Sequence, residues 1–199
     1  MHRTHSLRRI LRSIPGKVFE GKLYRTVQAD ALYGFSKAGP YMPRPLYNLG
    51  PSNGGARYTT KGGEPSIYFA EDVETAMREL LRIPAPQSLK PSNNFSTLVT
   101  YEAEVALESI LDLTQYPIRH LLGTSLKELA EPWRFRKDGL KPPTQRLGAV
   151  AATNGKFQGI RFHSTMKSGE CIVIFTDEIA PPSFIEVMDP KGKLIGRLP

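Results

Sequence analysis

Between residues 5 and 14, Leu7, Ile10, Leu11 and Ile14 recur at i, i+3, i+4 and i+7, the spacing of one apolar stripe on a helix, while Arg8, Arg9 and Arg12 fall off it. Pro15 and Gly16 end that helix. The pattern predicts a helix docked by its stripe on the domain; a helix laid on a membrane surface or a partner has the same pattern. Residues 22–27 (KLYRTV) and 66–70 (SIYFA) read as short strands. Asp72 is placed to cap a helix running to about Arg82, with Val73, Ala76, Met77, Leu80 and Leu81 inward. Residues 97–105 alternate as a strand does, and 109–113 extend as a second piece. Short helices are predicted near 118–122 and 125–130, and Pro142-Pro143-Thr144 starts a helix carrying Leu147, Val150 and Ala151. Residues 159–163, 171–176 and 184–187 read as closing strands. Strands and helices joined by irregular connections, without regular βαβ alternation, make the class α+β.

Two segments carry no periodicity. Residues 38–65 are rich in Gly and Pro, and their aromatics (Tyr41, Tyr47, Tyr58) and cations (Arg44, Arg57, Lys61) mark a functional loop. Residues 84–94 form a polar, proline-containing loop.

A chain of 199 residues is long enough for one domain with its own core, here divided as a basic amphipathic helix (1–20) and a main domain (21–199). A lone cysteine, Cys171, excludes a disulfide framework and a cysteine-based zinc site. Four histidines without HxxxH or HExxH spacing argue against metal chemistry. No apolar run approaches the roughly 20 residues of a membrane span, and no secretory apolar run follows the basic N-terminus, so the expected place of action is the cytoplasm. The net charge of +8 is uneven: Arg3, Arg8, Arg9, Arg12, Lys17, Lys22 and Arg25 face only Glu20 within the first 25 residues. Nucleic-acid binding would need that charge on a recognisable reading element, and none is present. A basic pocket for an anionic small molecule fits equally well.

The chain lacks GxGxxG, GxxxxGK[ST], GxSxG and CxxC, and its glycine pairs at 54–55 and 62–63 are weak evidence for phosphate binding. Four residues then stand out. Arg25 interrupts an apolar strand, Arg57 follows the GGA of the long loop, Glu79 lies inside the capped helix, and Ser164 ends the run GIRFHS. Taken singly, each has an ordinary structural role as an ion-pair member, a solvated helix position or a turn former.

In combination they resemble a known family. LYRT (23–26), GGARYTTKGGEPSIYFAEDVETAMREL (54–80), SILDLTQ (109–115), PTQRLGAVA (143–151) and FQGIRFHSTMKSGECIVIF (157–175) resemble, in order, the core of RES-domain proteins, named for their Arg, Glu and Ser. The resemblance implies a split, mostly antiparallel β core with flanking helices, similar to ADP-ribosyltransferase toxins, around an NAD cleft. It implies catalytic roles for Glu79, Arg57, Ser164 and Tyr68, and substrate-binding roles for Arg25 and, by stacking, Tyr58. Tyr58 and Thr59 stand where the family commonly has Trp and Asn, and the loop between Arg25 and Arg57 is long.

The implied activity is that of a bacterial toxin that destroys NAD by breaking the nicotinamide–ribose bond, with NAD as substrate and no cofactor or metal. The implied partner is a protein inhibitor, an Xre-type antitoxin or an immunity protein, without direct nucleic-acid contact or a membrane span; a homo-oligomer stays open. Such a bond breaks through an oxocarbenium-like state that a fixed carboxylate, here Glu79, stabilises, and the guanidinium groups of Arg25 and Arg57 suit the pyrophosphate. Water, phosphate or a protein side chain would each serve as acceptor, so ADP-ribosyl transfer and a non-catalytic nucleotide-binding module remain alternatives.

Overall fold

A computed structural model describes residues 1–33, 43–82, 97–134, 141–166, 169–189, 192 and 195–199. Tyr41 and the loop expected at 84–94 lie outside the described residues. In chain order the elements are α1 (Thr4–Ser13), β1 (Lys17–Gln28), α2 (Ala29–Tyr33), α3 (Leu49–Gly54), β2 (Ser66–Ala70), α4 (Val73–Leu81), β3 (Leu98–Asp112), α5 (Tyr116–Leu121), α6 (Leu126–Ala130), α7 (Pro143–Ala152), β4 (Gly159–His163), β5 (Glu170–Phe175), a 3-10 turn (Thr176–Glu178), β6 (Phe184–Met188) and β7 (Ile195–Leu198).

Among the described residues seven strands form one mostly antiparallel sheet in the order β1-β2-β5-β4-β3-β6-β7, with helices flanking it, so the fold is α+β as expected. The parallel pairing is β3 with β4, at Ile110–Asp112. β1 also pairs with β3 from Lys17↔Ile110 to Gln28↔Leu98, so the pairing closes on itself. β1 and β2 meet at a single register position, Tyr24↔Ala70, beyond which β1 stays with β3 alone. The sheet is split there.

Non-local pairing explains where the elements outrun their local signals. β1 starts at Lys17 because its polar first half, burying no alternate face, is held by the backbone ladder to β3. β3 is one strand of 15 residues: its buried positions Tyr101, Ala103, Val105 and Leu107 alternate, then pass into Ile110, Leu111 and Asp112, buried on both faces opposite the bulge at Lys17/Phe19. That change of phase makes the strand look like two in sequence. The short edge strand β7 pairs with β6 through Met188↔Ile195 and carries too few residues for a period to show.

Two apolar clusters flank the sheet. One holds Leu23, Ile67, Phe69, Leu107, Ile172 and Ile185. The other joins Leu7, Leu11 and Ile14 to Leu147, Val150 and Phe157, so α1 is docked by its predicted stripe and shares the main core. The N-terminal ammonium of Met1 lies 3.0 Å from Glu128, and Lys156 Nζ donates to the Arg12 carbonyl at 2.8 Å. With its stripe consumed, α1 turns Arg8, Arg9 and Arg12 outward. β1 crosses the boundary expected at residue 20. Among the described residues no helix is long and apolar enough to cross a membrane.

Candidate active site

The split between β1 and β2 opens into a cavity of about 650 Å³, within the range of small-molecule sites, walled by β1, β2, α4 and the segment after α6. The loop ahead of β2 is fixed on three sides. The Ala56 and Thr59 backbones exchange hydrogen bonds (2.8 and 3.3 Å), and Gln145 of α7 donates to the Ala56 carbonyl (2.9 Å). Gly148 of α7 admits the Tyr58 carbonyl so closely that an added Cβ would lie 1.8 Å from its oxygen. From β2, the Tyr68 hydroxyl accepts the Tyr58 N–H at 2.9 Å and sits 3.0 Å from Thr59 Oγ1. Arg57 is thus presented from a clamped turn. Burial pushes the Tyr68 phenol well above its ordinary pKa, against the pull of the Thr59 and Tyr58 hydrogen bonds, so it stays neutral.

Asp72 caps α4: its Oδ1 accepts the Thr75 N–H at 2.8 Å and its Oδ2 the Thr75 hydroxyl at 2.6 Å, a contact worth about 1 kcal/mol. The helix is rotated from the phase its apolar residues predict. Thr75 and Ala76 are buried, whereas Val73 is 44% exposed. Thr75 abuts Gly169, where a Cβ would come within 2.1 Å of its hydroxyl. Glu79 and Leu80 therefore face the cavity, and Ala76, to which they stand at i+3 and i+4, joins the same face while buried in the core cluster. Ser164 Oγ donates to Glu79 Oε1 at 2.5 Å and itself accepts the Met166 N–H at 3.0 Å, which fixes the carboxylate from the end of β4.

Arg57 spans the cavity floor. Its Nη1 donates to the carbonyls of Leu129 (2.7 Å) and Glu131 (3.2 Å), and its Nη2 to Thr165 Oγ1 (3.1 Å). It ties together the turn that follows Ser164 and the segment after α6, which carries Trp133 and Arg134 into the wall. The Trp133 ring packs over Gly55, a residue in the left-handed region (φ 75°), where a Cβ would meet Trp133 Cζ3 at 3.6 Å.

Glu79, Arg57, Tyr68 and, through Glu79, Ser164 are therefore brought to one cavity. Arg25 also lines it, but its Nη1 donates to the carbonyls of Pro45 (3.1 Å) and Tyr47 (3.4 Å), so it holds the long loop. The expected stacking role of Tyr58 needs correction. Its ring is 1% exposed and packs on Phe162 with centroids 4.7 Å apart, because alternation from the clamped Arg57 sends it into the core. Sequence reasoning missed Trp133, Arg134 and Arg82, which also line the cavity. Trp133 is the only tryptophan of the chain, and a cation beside it was the available signal.

Among the described residues the lining carries four guanidinium groups (Arg25, Arg57, Arg82, Arg134) against one carboxylate, Glu79, which suits an anionic ligand with a locally cationic reacting centre. It holds one thiol and no histidine, a poor donor set for a metal. Burial, then the nearby Glu79, Asp72 and Glu71 carboxylates, push the Cys171 thiol well up, so it is no nucleophile.

No curated protein matches the chain. Among solved structures it is similar to a chain of the M. tuberculosis MbcT-MbcA toxin-antitoxin complex, at 17% identity and TM-score 0.67, over 92% of this chain and 90% of that one. The RES domain family matches residues 22–192, a span that starts in the strand of Arg25 and takes in the clamped Arg57 turn, the Glu79 helix and the Ser164 strand end. The residues that build the cavity thus lie inside that span, and the chain belongs to the RES domain family.

Proposed function

We propose that this protein is a RES-type toxin enzyme that degrades NAD by breaking the nicotinamide–ribose bond. The observation that carries the reading is Glu79: among the described residues the one carboxylate of the cavity lining, held by Ser164 at 2.5 Å amid cations, apolar groups and neutral hydroxyls. In the reaction the bond between the nicotinamide ring nitrogen and ribose C1′ breaks, and its electron pair stays on nicotinamide, which leaves neutral. Positive charge spreads over C1′ and the ring oxygen, where the Glu79 carboxylate stabilises it. An oxygen of water or inorganic phosphate then bonds to C1′, and the acceptor's proton passes to solvent. A neutral leaving group needs little acid catalysis, which suits a site lacking histidine. Ala76 and Leu80 supply the apolar wall for a planar base, and Tyr68 borders it.

The family membership and the fold likeness to a chain of a toxin-antitoxin complex support a toxin held in check by a protein antitoxin. The test is to incubate the purified protein with NAD, with and without phosphate, and identify products by mass spectrometry. Free nicotinamide with ADP-ribose, or with its phosphorylated form, supports the reading and names the acceptor. Absence of nicotinamide in every condition, or full activity in a folded Glu79→Ala protein, overturns it.

A further inference from the structure

The two arginines expected to grip phosphate are occupied by main-chain carbonyls: Arg25 by those of Pro45 and Tyr47, Arg57 by those of Leu129 and Glu131. Two others in the same lining are placed differently. Arg82 is the C-cap of α4, in the left-handed region at φ 56°, three residues beyond Glu79, with an exposed side chain. Arg134 is exposed and lies over the Trp133 ring, its guanidinium carbon 4.4 Å from the ring centroid. Among the described residues neither side chain has a carboxylate or hydrogen-bond partner. An arginine oriented by an aromatic face keeps all its N–H groups for an anion, whereas one oriented by carbonyls has already committed part of them.

We infer that Arg82 and Arg134 form the diphosphate subsite of the cavity, with Trp133 as the platform that orients Arg134. The inference rests on the reading of the cavity as a site for a dinucleotide such as NAD, and it moves phosphate recognition from Arg25 and Arg57 to two residues outside the motifs that suggested them. Arg25 and Arg57 become positioning residues, one for the long loop and one for the wall that carries Trp133. A non-glycine residue at φ 56° is uncommon, and here that backbone turns the chain out of α4 immediately beyond the carboxylate. Carboxylate and cation therefore leave one helix end on a fixed separation in sequence. This suits a ligand whose ribose and diphosphate are neighbours.

The test is calorimetric titration with ADP-ribose and with adenosine, which lacks phosphate, on wild type, Arg82→Gln, Arg134→Gln, the double variant and the control Arg8→Gln. Arg8 lies on the outer face of α1, so its loss lowers net charge without touching the cavity. Each cavity variant should weaken ADP-ribose binding about tenfold and the pair about a hundredfold, the ratio one charge-assisted contact supplies. Adenosine binding and the Arg8→Gln protein should match wild type, and melting temperatures should agree throughout. Wild-type ADP-ribose affinity in both cavity variants overturns the subsite even if NAD is cleaved. Failure of the wild type to bind ADP-ribose overturns it as well. Weakened binding in the variants with no nicotinamide released by the wild type supports the subsite and overturns the NAD-cleaving reading instead.

Discussion

Ser164→Ala tests whether the short contact to Glu79 serves catalysis or only the fold. The substitution removes the hydroxyl that donates to Glu79 Oε1 at 2.5 Å and accepts the Met166 N–H at 3.0 Å. A hydrogen bond to a charged group contributes about 1.5–3 kcal/mol, and both residues are half-buried, so the lower part of that range applies. Nicotinamide release should fall about tenfold. Glu79→Gln, which removes the charge itself, should cost ~10²–10³. If the serine acts through the carboxylate, the double variant is no slower than Glu79→Gln alone, since the hydroxyl then has no anion to orient. The assay is nicotinamide release from NAD by chromatography with mass detection, beside a thermal melt of each variant. Losses that multiply in the double variant would refute the coupling, and so would wild-type rates in Ser164→Ala.

Arg57→Ala releases the carbonyls of Leu129 and Glu131, so Trp133 emission should shift to the red and activity fall; lost activity with an unchanged spectrum would place Arg57 on the substrate instead. Gly148→Ala drives a Cβ to 1.8 Å from the Tyr58 oxygen, an overpacking cost of about 1–3 kcal/mol, so the melting temperature should drop by several degrees. Leu11→Ala should cost about 2–5 kcal/mol by denaturant titration if α1 belongs to the core, and almost nothing if it is an appendage. Burial works to raise the Asp112 pKa, but Lys17 Nζ at 2.8 Å and the Thr114 donors outweigh it, and the carboxyl is held below its ordinary value. Its folded value lies below its unfolded one, so its contribution is present above about pH 4 and is lost as pH falls through the folded value. Melting temperatures measured from pH 7 to pH 3 should therefore fall less steeply in Asp112→Asn than in wild type.

What could be read in the residues divides by the range of the interaction that places them. β2 and β4 are bounded as their local patterns predict, because each is short, apolar and covered on both sides by neighbours in the sheet. The α1 stripe was legible because Leu7, Leu11 and Ile14 all enter one core. The full lengths of β1 and β3 were not, since their ladder joins residues far apart in sequence and tolerates polar positions such as Lys22 and Glu104 facing each other. In α4 the inward assignment of Ala76 holds, since it is buried in the core, but Leu80 lines a cavity, Val73 is exposed, and polar Thr75 is buried against Gly169. Hydropathy does not distinguish a core wall from a cavity wall.

The same limit applies to the arginines, and it has a chemical consequence. A motif identifies which guanidinium groups come near a site, but their function depends on how many N–H donors the fold has already used. Arg57 commits Nη1 and Nη2 to Leu129, Glu131 and Thr165, and Arg25 commits Nη1 to Pro45 and Tyr47; both sit where clamped loops needed a multi-donor side chain to satisfy main-chain oxygens. Glu79 needs the opposite treatment: its Oε1 is held by Ser164 from a neighbouring strand end, yet it still lines the open volume. Rigid cations that shape the walls, one oriented anion, and cations at Arg82 and Arg134 with donors to spare are three separate requirements of a cavity that takes an anionic ligand and stabilises a cation within it.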